Sequence, residues 1–368
     1  MTLSAPSPAV LATPLAASLA YATVPLVAYR GVQTPQSLDA PEKEWVALTT
    51  GAAAYDLGWM RRIAVRGEDR FRWRSGMVTN TVSGLTANAG AWNLVLNAQG
   101  RIQGELYVWR EGVGQDSDNL DLEIAADQVE KLLTHFDRFI IMDDVDLLPL
   151  GEESALGLSG PKVAEVLKKL GLPVLPEALT SLRAEWAGQP LLLLRGYGPH
   201  YELWLRTEQI PTLWAALQQA GATPVGAEAL EALRIAEAIP TYGVDMVERD
   251  LPQETGQMRA LHFTKGCYLG QEIVERIRSR GSVHRQLRQL ELDGPLPAPG
   301  TELTFQNAAG ADAPAGTITS AVELPGGLRR LALAMIRGEA ELRRQPLTYT
   351  VGEGQGSARV LAVPLGLE

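Results

Sequence analysis

Cys267 is the only cysteine of a 368-residue chain, and it stands in the run TKGCYLGQEIVERIRSR at 264–280. Lys265 and Gly266 precede it; Gly270, Gln271 and Glu272 follow. Ile273, Val274 and Ile277 fall at helical spacing, so the run predicts a helix beginning near Gly270 with a narrow apolar stripe. Glu272 and Arg276 form an i, i+4 pair on its wet side. The thiol then lies in the loop just ahead of a helix N-terminus. Unpaired amides and the positive dipole end favour a thiolate there, and Lys265 adds to that potential. Gln271 and Glu272 are placed to orient the sulfur. Gly266 and Gly270 let the backbone approach a ligand closely. The bland alternative is a tight turn into a helix, with the cysteine merely a small side chain. From Lys265 to Arg288 six basic residues face two acids, Glu272 and Glu275, in a chain of net charge −10. That local excess suits an anionic partner, or is simply a solvated helix face.

Composition narrows the remaining chemistry. Hydrophobic residues make up 46% and charged residues 21%, as in soluble globular proteins of two or three domains at this length. One cysteine excludes an intramolecular disulfide and an all-cysteine metal site. The histidines (His135, His200, His262 and His284) show no H-x-x-x-H spacing, so no metal site is expected. Overall acidity disfavours a nucleic-acid platform, leaving only the basic stretch 276–288 for such contact. The first 29 residues carry no charged side chain, lack a basic n-region and are interrupted by Pro6, Pro8, Pro14 and Pro25. They read as a loose extension with a short first strand rather than an export signal. No apolar stretch has the length to span a bilayer, so the expectation is a cytoplasmic protein without a membrane partner.

The elements that must position these residues are readable in outline. Arg62 to Val65 predicts a strand, and Gly67-Glu68-Asp69 opens a helix. Two alternating strands flank Ala98-Gln99-Gly100, a hairpin signal. Its second strand puts Gln103, Glu105, Tyr107 and Trp109 on one face. A helix capped by Asp127 follows. From Gly151 to about Ala238, strands at Leu156, LLLLRGY and YELWL alternate with helices at KVAEVLKKL, IPTLWAALQQA and GAEALEALRIAEAI, which predicts a small α+β unit. Residues 287–363 hold six short strands punctuated by glycine and proline, predicting an antiparallel barrel or sandwich.

KGCYLGQE at 265–272 resembles the signature of the YgfZ folate-binding proteins, bacterial relatives of the mitochondrial iron–sulfur assembly factor. The likeness extends from about residue 40 to 363 through YELWL (201–205), EALRIAEAIPTYGVDM (231–246), LPQETG (251–256) and RSRGSVHRQLRQLEL (278–292). It implies an α+β three-domain ring of the aminomethyltransferase (T-protein) type, with a central hole holding tetrahydrofolate or a one-carbon-substituted folate, and a C-terminal antiparallel β-barrel. The expected divisions are 1–40 for the extension and first strand, 41–150 for the first part of a folate-binding domain, and 151–240 for a second α+β domain. A return segment with the motif at 241–285 and the barrel at 286–368 complete them. Carried over residue by residue, the resemblance puts Glu202 on the pterin. It sets Arg234 at the folate's anionic tail or beside it, and Tyr242 at a turn near the same cavity. On the residues alone Glu202 is equally a solvent-facing strand residue and Arg234 a helix-end ion-pair residue.

One departure separates two functions. Aminomethyltransferases carry GG–two residues–DD in the hairpin at 97–105. Here Gly104 replaces the first aspartate and Glu105 the second, so the acid beside the reactive folate nitrogen is missing or displaced. The first expectation is therefore a tetrahydrofolate-binding factor for synthesis or repair of iron–sulfur client enzymes, including those that thiolate tRNA. Cys267 would be its reactive residue, with Lys265, Gln271 and Glu272 in support. The alternative is an aminomethyltransferase of the glycine cleavage system, passing a one-carbon unit to tetrahydrofolate. An RNA-binding module using 276–288 is the weakest. Whether the protein is a catalyst stays open; if so, it is a folate-dependent one-carbon transferase.

Overall fold

Leu156 and Leu158, Leu191 and Leu193, and Leu203 and Leu205 alternate along three strands and turn to one shared apolar face. In this computed structural model, which describes residues 11–18, 24–112, 118–327 and 329–362, they belong to the first of two units. That unit comprises 1–64, 121–133 and 147–228. Its strands run in the order Thr223–Val225, Ala53–Asp56, Glu153–Ser159, Tyr201–Arg206, Gln189–Arg195, Thr180–Trp186. The first pair is parallel and the others antiparallel. The helices Val163–Lys169 and Ile210–Gln219 cover the leucine face with Val163, Val166, Leu167, Leu213 and Leu217. Period-two alternation then sends Glu202 and Trp204 to the opposite face. There Gly157, paired with Glu202, leaves room for the Tyr55 ring; a methyl at 157 would meet that ring at 1.9 Å.

The N-terminal expectation needs correcting. Pro14–Ser18 is a helix whose Leu15 and Ala16 are buried, and Thr13 and Thr34 both donate to the buried Asp56 carboxylate. Residues 11–18 are thus part of the packed unit, because Leu15 joins its leucine core. The rest of the predicted loose extension, 1–10 and 19–23, lies outside the described residues. Asp127 is not a cap either: it sits inside the first turn of Ala126–Asp137, where its charge suits the dipole.

The second unit comprises 65–120, 134–146 and 229–368. The predicted hairpin is formed by Ala89–Leu96 and Ile102–Gly112. Its turn is closed by the Asn97 carboxamide oxygen, which accepts from the amides of Gln99 and Arg101, and by Gly100 at φ 71°. The six C-terminal strands close into a barrel, Arg285–Asp293, Arg330–Arg337, Asp312–Glu323, Glu302–Gln306, Leu347–Val351 and Gly354–Val360 in spatial order, around Leu290, Phe305, Ile318, Leu333's neighbours Ala332 and Ala334, and Tyr349. Closure leaves no open sheet edge. No helix among the described residues is long and apolar enough to cross a membrane.

Candidate functional site

The helix Arg70–Met77 ends with carbonyls that its own backbone cannot satisfy. The cysteine segment supplies the donors. Lys265 Nζ donates to Ser75 O at 2.6 Å and Val78 O at 2.5 Å, and the Leu269 amide donates to Gly76 O at 2.9 Å. Gly270, at φ 81°, opens the helix Gln271–Arg280. A methyl on Gly270 would lie 2.6 Å from Asn97 O and 3.0 Å from Gly100 Cα; a methyl on Gly100 would strike Ile273 at 2.8 Å. The motif's glycine is therefore required by contact with the hairpin turn. Val274 fills the buried side of the helix, while Glu272 and Arg276 are exposed as predicted.

Cys267 is exposed at this turn. The supporting roles expected of its neighbours take a different form. Lys265 turns its ammonium to helix carbonyls, because those carbonyls are the nearest unsatisfied acceptors. Burial, then repulsion from Arg74, lowers its pKa to about 7. Gln271 accepts the Tyr268 amide at 3.2 Å and so closes the loop around the cysteine. The basic stretch is partly neutralised: Arg278 pairs with Glu275, Arg285 with Asp250 and Glu254, and Arg288 with Glu341.

The structure brings Glu105 and Tyr242 together. Glu105 Oε1 accepts the Tyr242 amide at 2.8 Å, and its Oε2 accepts the Trp92 indole N–H at 3.2 Å. Trp92 stacks on Tyr107 at 6.5 Å, Tyr107 on Trp109 at 6.2 Å, and the Arg259 guanidinium lies 5.1 Å from the Trp92 ring. Trp92, which the sequence reading did not single out, joins this group; its cross-strand pairing with Tyr107 was the available signal. The Tyr242 ring itself is buried.

Arg234 is buried and its donors are spent locally. It donates to Ile239 O at 2.8 Å, Asp245 Oδ2 at 2.5 Å, Ser320 Oγ at 2.9 Å and both oxygens of Glu231. Thr319 and Ser320 also donate to Asp245, so the helix Ala227–Ala236 is tied to the barrel strand Asp312–Glu323. The helix-end ion pair readable in the residues is what the structure holds.

In the first unit, Glu202 Oε2 accepts the Trp204 indole N–H at 2.8 Å. Desolvation raises the Glu202 pKa against the pull of Trp204, Glu123, Arg62 and His200. Part of its surface stays open although protein encloses the carboxyl closely. The buried Glu123 is among the groups that act on this carboxyl. Behind them Arg62 binds Asp121 at 2.6 Å and Glu153 at 3.0 Å, with its guanidinium 5.8 Å from the Trp204 ring. Such a carboxyl is suited to gripping paired N–H donors. Glu123 and Arg62 were not singled out in the sequence, because only folding brings 62, 123 and 202 together.

Residues 20–265 match the model of the GCVT N-terminal domain. The chain is 29% identical over 327 residues to an aminomethyltransferase of Rubrobacter xylanophilus, covering 86% of this chain and 84% of that protein. It is 25% identical over 348 residues to one of Anoxybacillus flavithermus, covering 91% and 93%. The crystal structure of glycine cleavage system aminomethyltransferase T from Bartonella henselae superposes with a TM-score of 0.84 at 18% identity, over 96% of this chain and 97% of that one. That likeness shows an aminomethyltransferase-type fold. By the match over residues 20–265, the chain belongs to the family defined by the GCVT N-terminal domain.

Proposed function

We propose that the protein binds a tetrahydrofolate and handles the one-carbon unit such a folate carries, in the manner of an aminomethyltransferase. The supporting observation is Glu202: a carboxyl enclosed by protein yet partly open, with the Trp204 indole N–H fixing one of its oxygens. A pterin's aminopyrimidine edge presents parallel N–H donors, and a carboxylate accepts two of them. Binding those donors favours the charged form that burial disfavours. Within the second unit, Glu105, Trp92 and Tyr242 are assigned to tying the hairpin strand to the TYG turn, and Arg234 to holding the helix beside the barrel. The test is calorimetric titration of tetrahydrofolate. Wild type should bind, and Glu202→Gln should bind about 100-fold more weakly, the scale of charged hydrogen bonds. Equal affinity in the two proteins refutes the assignment.

A second reading rests on Cys267 and Gly104. The thiol is exposed on an ordered turn, and the hairpin lacks the aspartate of the transferases. These favour a YgfZ-like factor serving iron–sulfur enzymes, with the cysteine reactive. The relatives' names support the transferase reading and do not extend to this role. Turnover of aminomethyl-lipoyl carrier protein with tetrahydrofolate decides for the transferase. Absence of turnover, with loss of iron–sulfur enzyme activity in cells carrying Cys267→Ala, decides for the factor.

A further inference from the structure

Arg74 has no exposed surface, and none of its three guanidinium nitrogens has a hydrogen-bond partner. Its contact is with an aromatic face: the guanidinium carbon lies 4.4 Å from the Phe136 ring centroid, and Trp73 meets the same ring edge-on. A cation–π contact offsets only part of what a buried charge loses on leaving water. Arginine does not escape by releasing its proton under ordinary conditions.

Two more donors gather on the cysteine segment. Lys265 uses two of its three ammonium protons on Ser75 O and Val78 O. Its nitrogen lies 5.2 Å from the Tyr268 ring, and its two carbonyl acceptors lie at the C-terminal end of the helix that carries Arg74. The Tyr268 hydroxyl is buried and, like Arg74, unpartnered. Among the described residues, no carboxylate is hydrogen-bonded to any of the three. Glu275, the acid that acts on Tyr268, is paired with Arg278 at 3.4 Å. A chain with ten more acidic than basic side chains has thus placed two cations and a hydroxyl donor together with no acid bonded to them among the described residues. Burial pulls Arg74 down to about 9 and Lys265 down to about 7 and pushes Tyr268 up to about 12, all signs of charge and donors short of acceptors.

We propose that Arg74, Lys265 and Tyr268 form a site for a small oxyanion beneath the KGCY turn. A planar guanidinium offers two parallel N–H donors to such an anion, and the ammonium and phenol add one each. The anion satisfies the orphaned donors and neutralises the pair, and so fastens the cysteine turn to the helix Arg70–Met77. This inference is independent of the folate reading.

Thermal unfolding of the full chain tests it, with inorganic phosphate or acetate exchanged for chloride at constant ionic strength. A ligand that binds only the folded state raises Tm saturably. Wild type should show that rise, and Arg74→Met and Tyr268→Phe should each lose about tenfold or more in apparent anion affinity. A response to phosphate assigns the site to a free inorganic oxyanion; a response to acetate alone assigns it to the carboxylate arm of an organic ligand. Tyr268→Phe removes one oxygen from a buried ring and carries the test if Arg74→Met does not fold. A wild-type Tm unmoved by either anion, or variants that respond as wild type does, overturns the proposal.

Discussion

The Tyr242 amide donates to Glu105 Oε1 across 2.8 Å, joining the TYG turn to the second strand of the hairpin. The residue in the place of the second aspartate is therefore not a free acid but an acceptor shared by Tyr242 and the Trp92 indole. Glu105→Ala strands both donors and should cost about 2–4 kcal/mol, since each buried unpaired donor costs roughly 1–3 kcal/mol. Glu105→Gln, which keeps one acceptor oxygen, should cost less. Urea unfolding measures both, and equal losses refute the shared-acceptor account.

Arg234 and Asp245 are both buried, at 6% and 0% side-chain exposure. Removing one charge of such a pair leaves the other uncompensated, at about 3–5 kcal/mol. Arg234→Met should therefore lower stability strongly. The double variant Arg234→Met with Asp245→Asn should recover much of the loss. An additive double variant would show that the pair is not the source.

Glu202 has a folded-state pKa above its unfolded value, because enclosure penalises the ionised form. Between those two values the folded state binds more protons, so stability falls as pH rises through the folded pKa. Glu202→Gln should flatten that decline and make the protein relatively more stable at neutral than at acid pH. Tm against pH for both proteins checks the sign.

Lys265 runs the other way. Its folded pKa is lowered to about 7 from 10.5 by burial and by Arg74, with Tyr268 and Glu275 on the same side of the turn. Between about 7 and 10.5 the unfolded state binds the extra proton, so stability rises with pH across that window and is least below it. Lys265→Met should remove this slope in chloride buffer.

The motif separates into a chemical and a mechanical part. Cys267 is exposed, so Cys267→Ser should change stability by no more than about 0.5 kcal/mol. Gly270→Ala forces a methyl against Asn97 O from a positive φ and should cost roughly 1–3 kcal/mol. If both variants lose the same activity but only the second loses stability, the sulfur is the working atom.

Elements with strong local signals were legible before folding. The hairpin turn at 98–100, the helix from Gly270 and the six barrel strands all follow from period and turn chemistry. Thr180–Trp186 escaped although Leu182, Ala184 and Trp186 alternate with Arg183 and Glu185, the period-two signal of a half-buried strand. The site was legible as residue types but not as directions. Lys265 reads as a cation beside a thiol, yet helix carbonyls 190 and 187 positions away claim its protons. Arg234 was readable as an ion-pair residue, whereas its bond to Ser320 depends on a strand far along the chain.

Gly100 and Gly270 face each other so closely that neither tolerates a methyl. Two turns 170 positions apart in the chain are in this sense one character under selection. A side chain gained at 100 demands a smaller residue at 273, and one gained at 270 demands a shifted hairpin turn, so neither glycine can change alone.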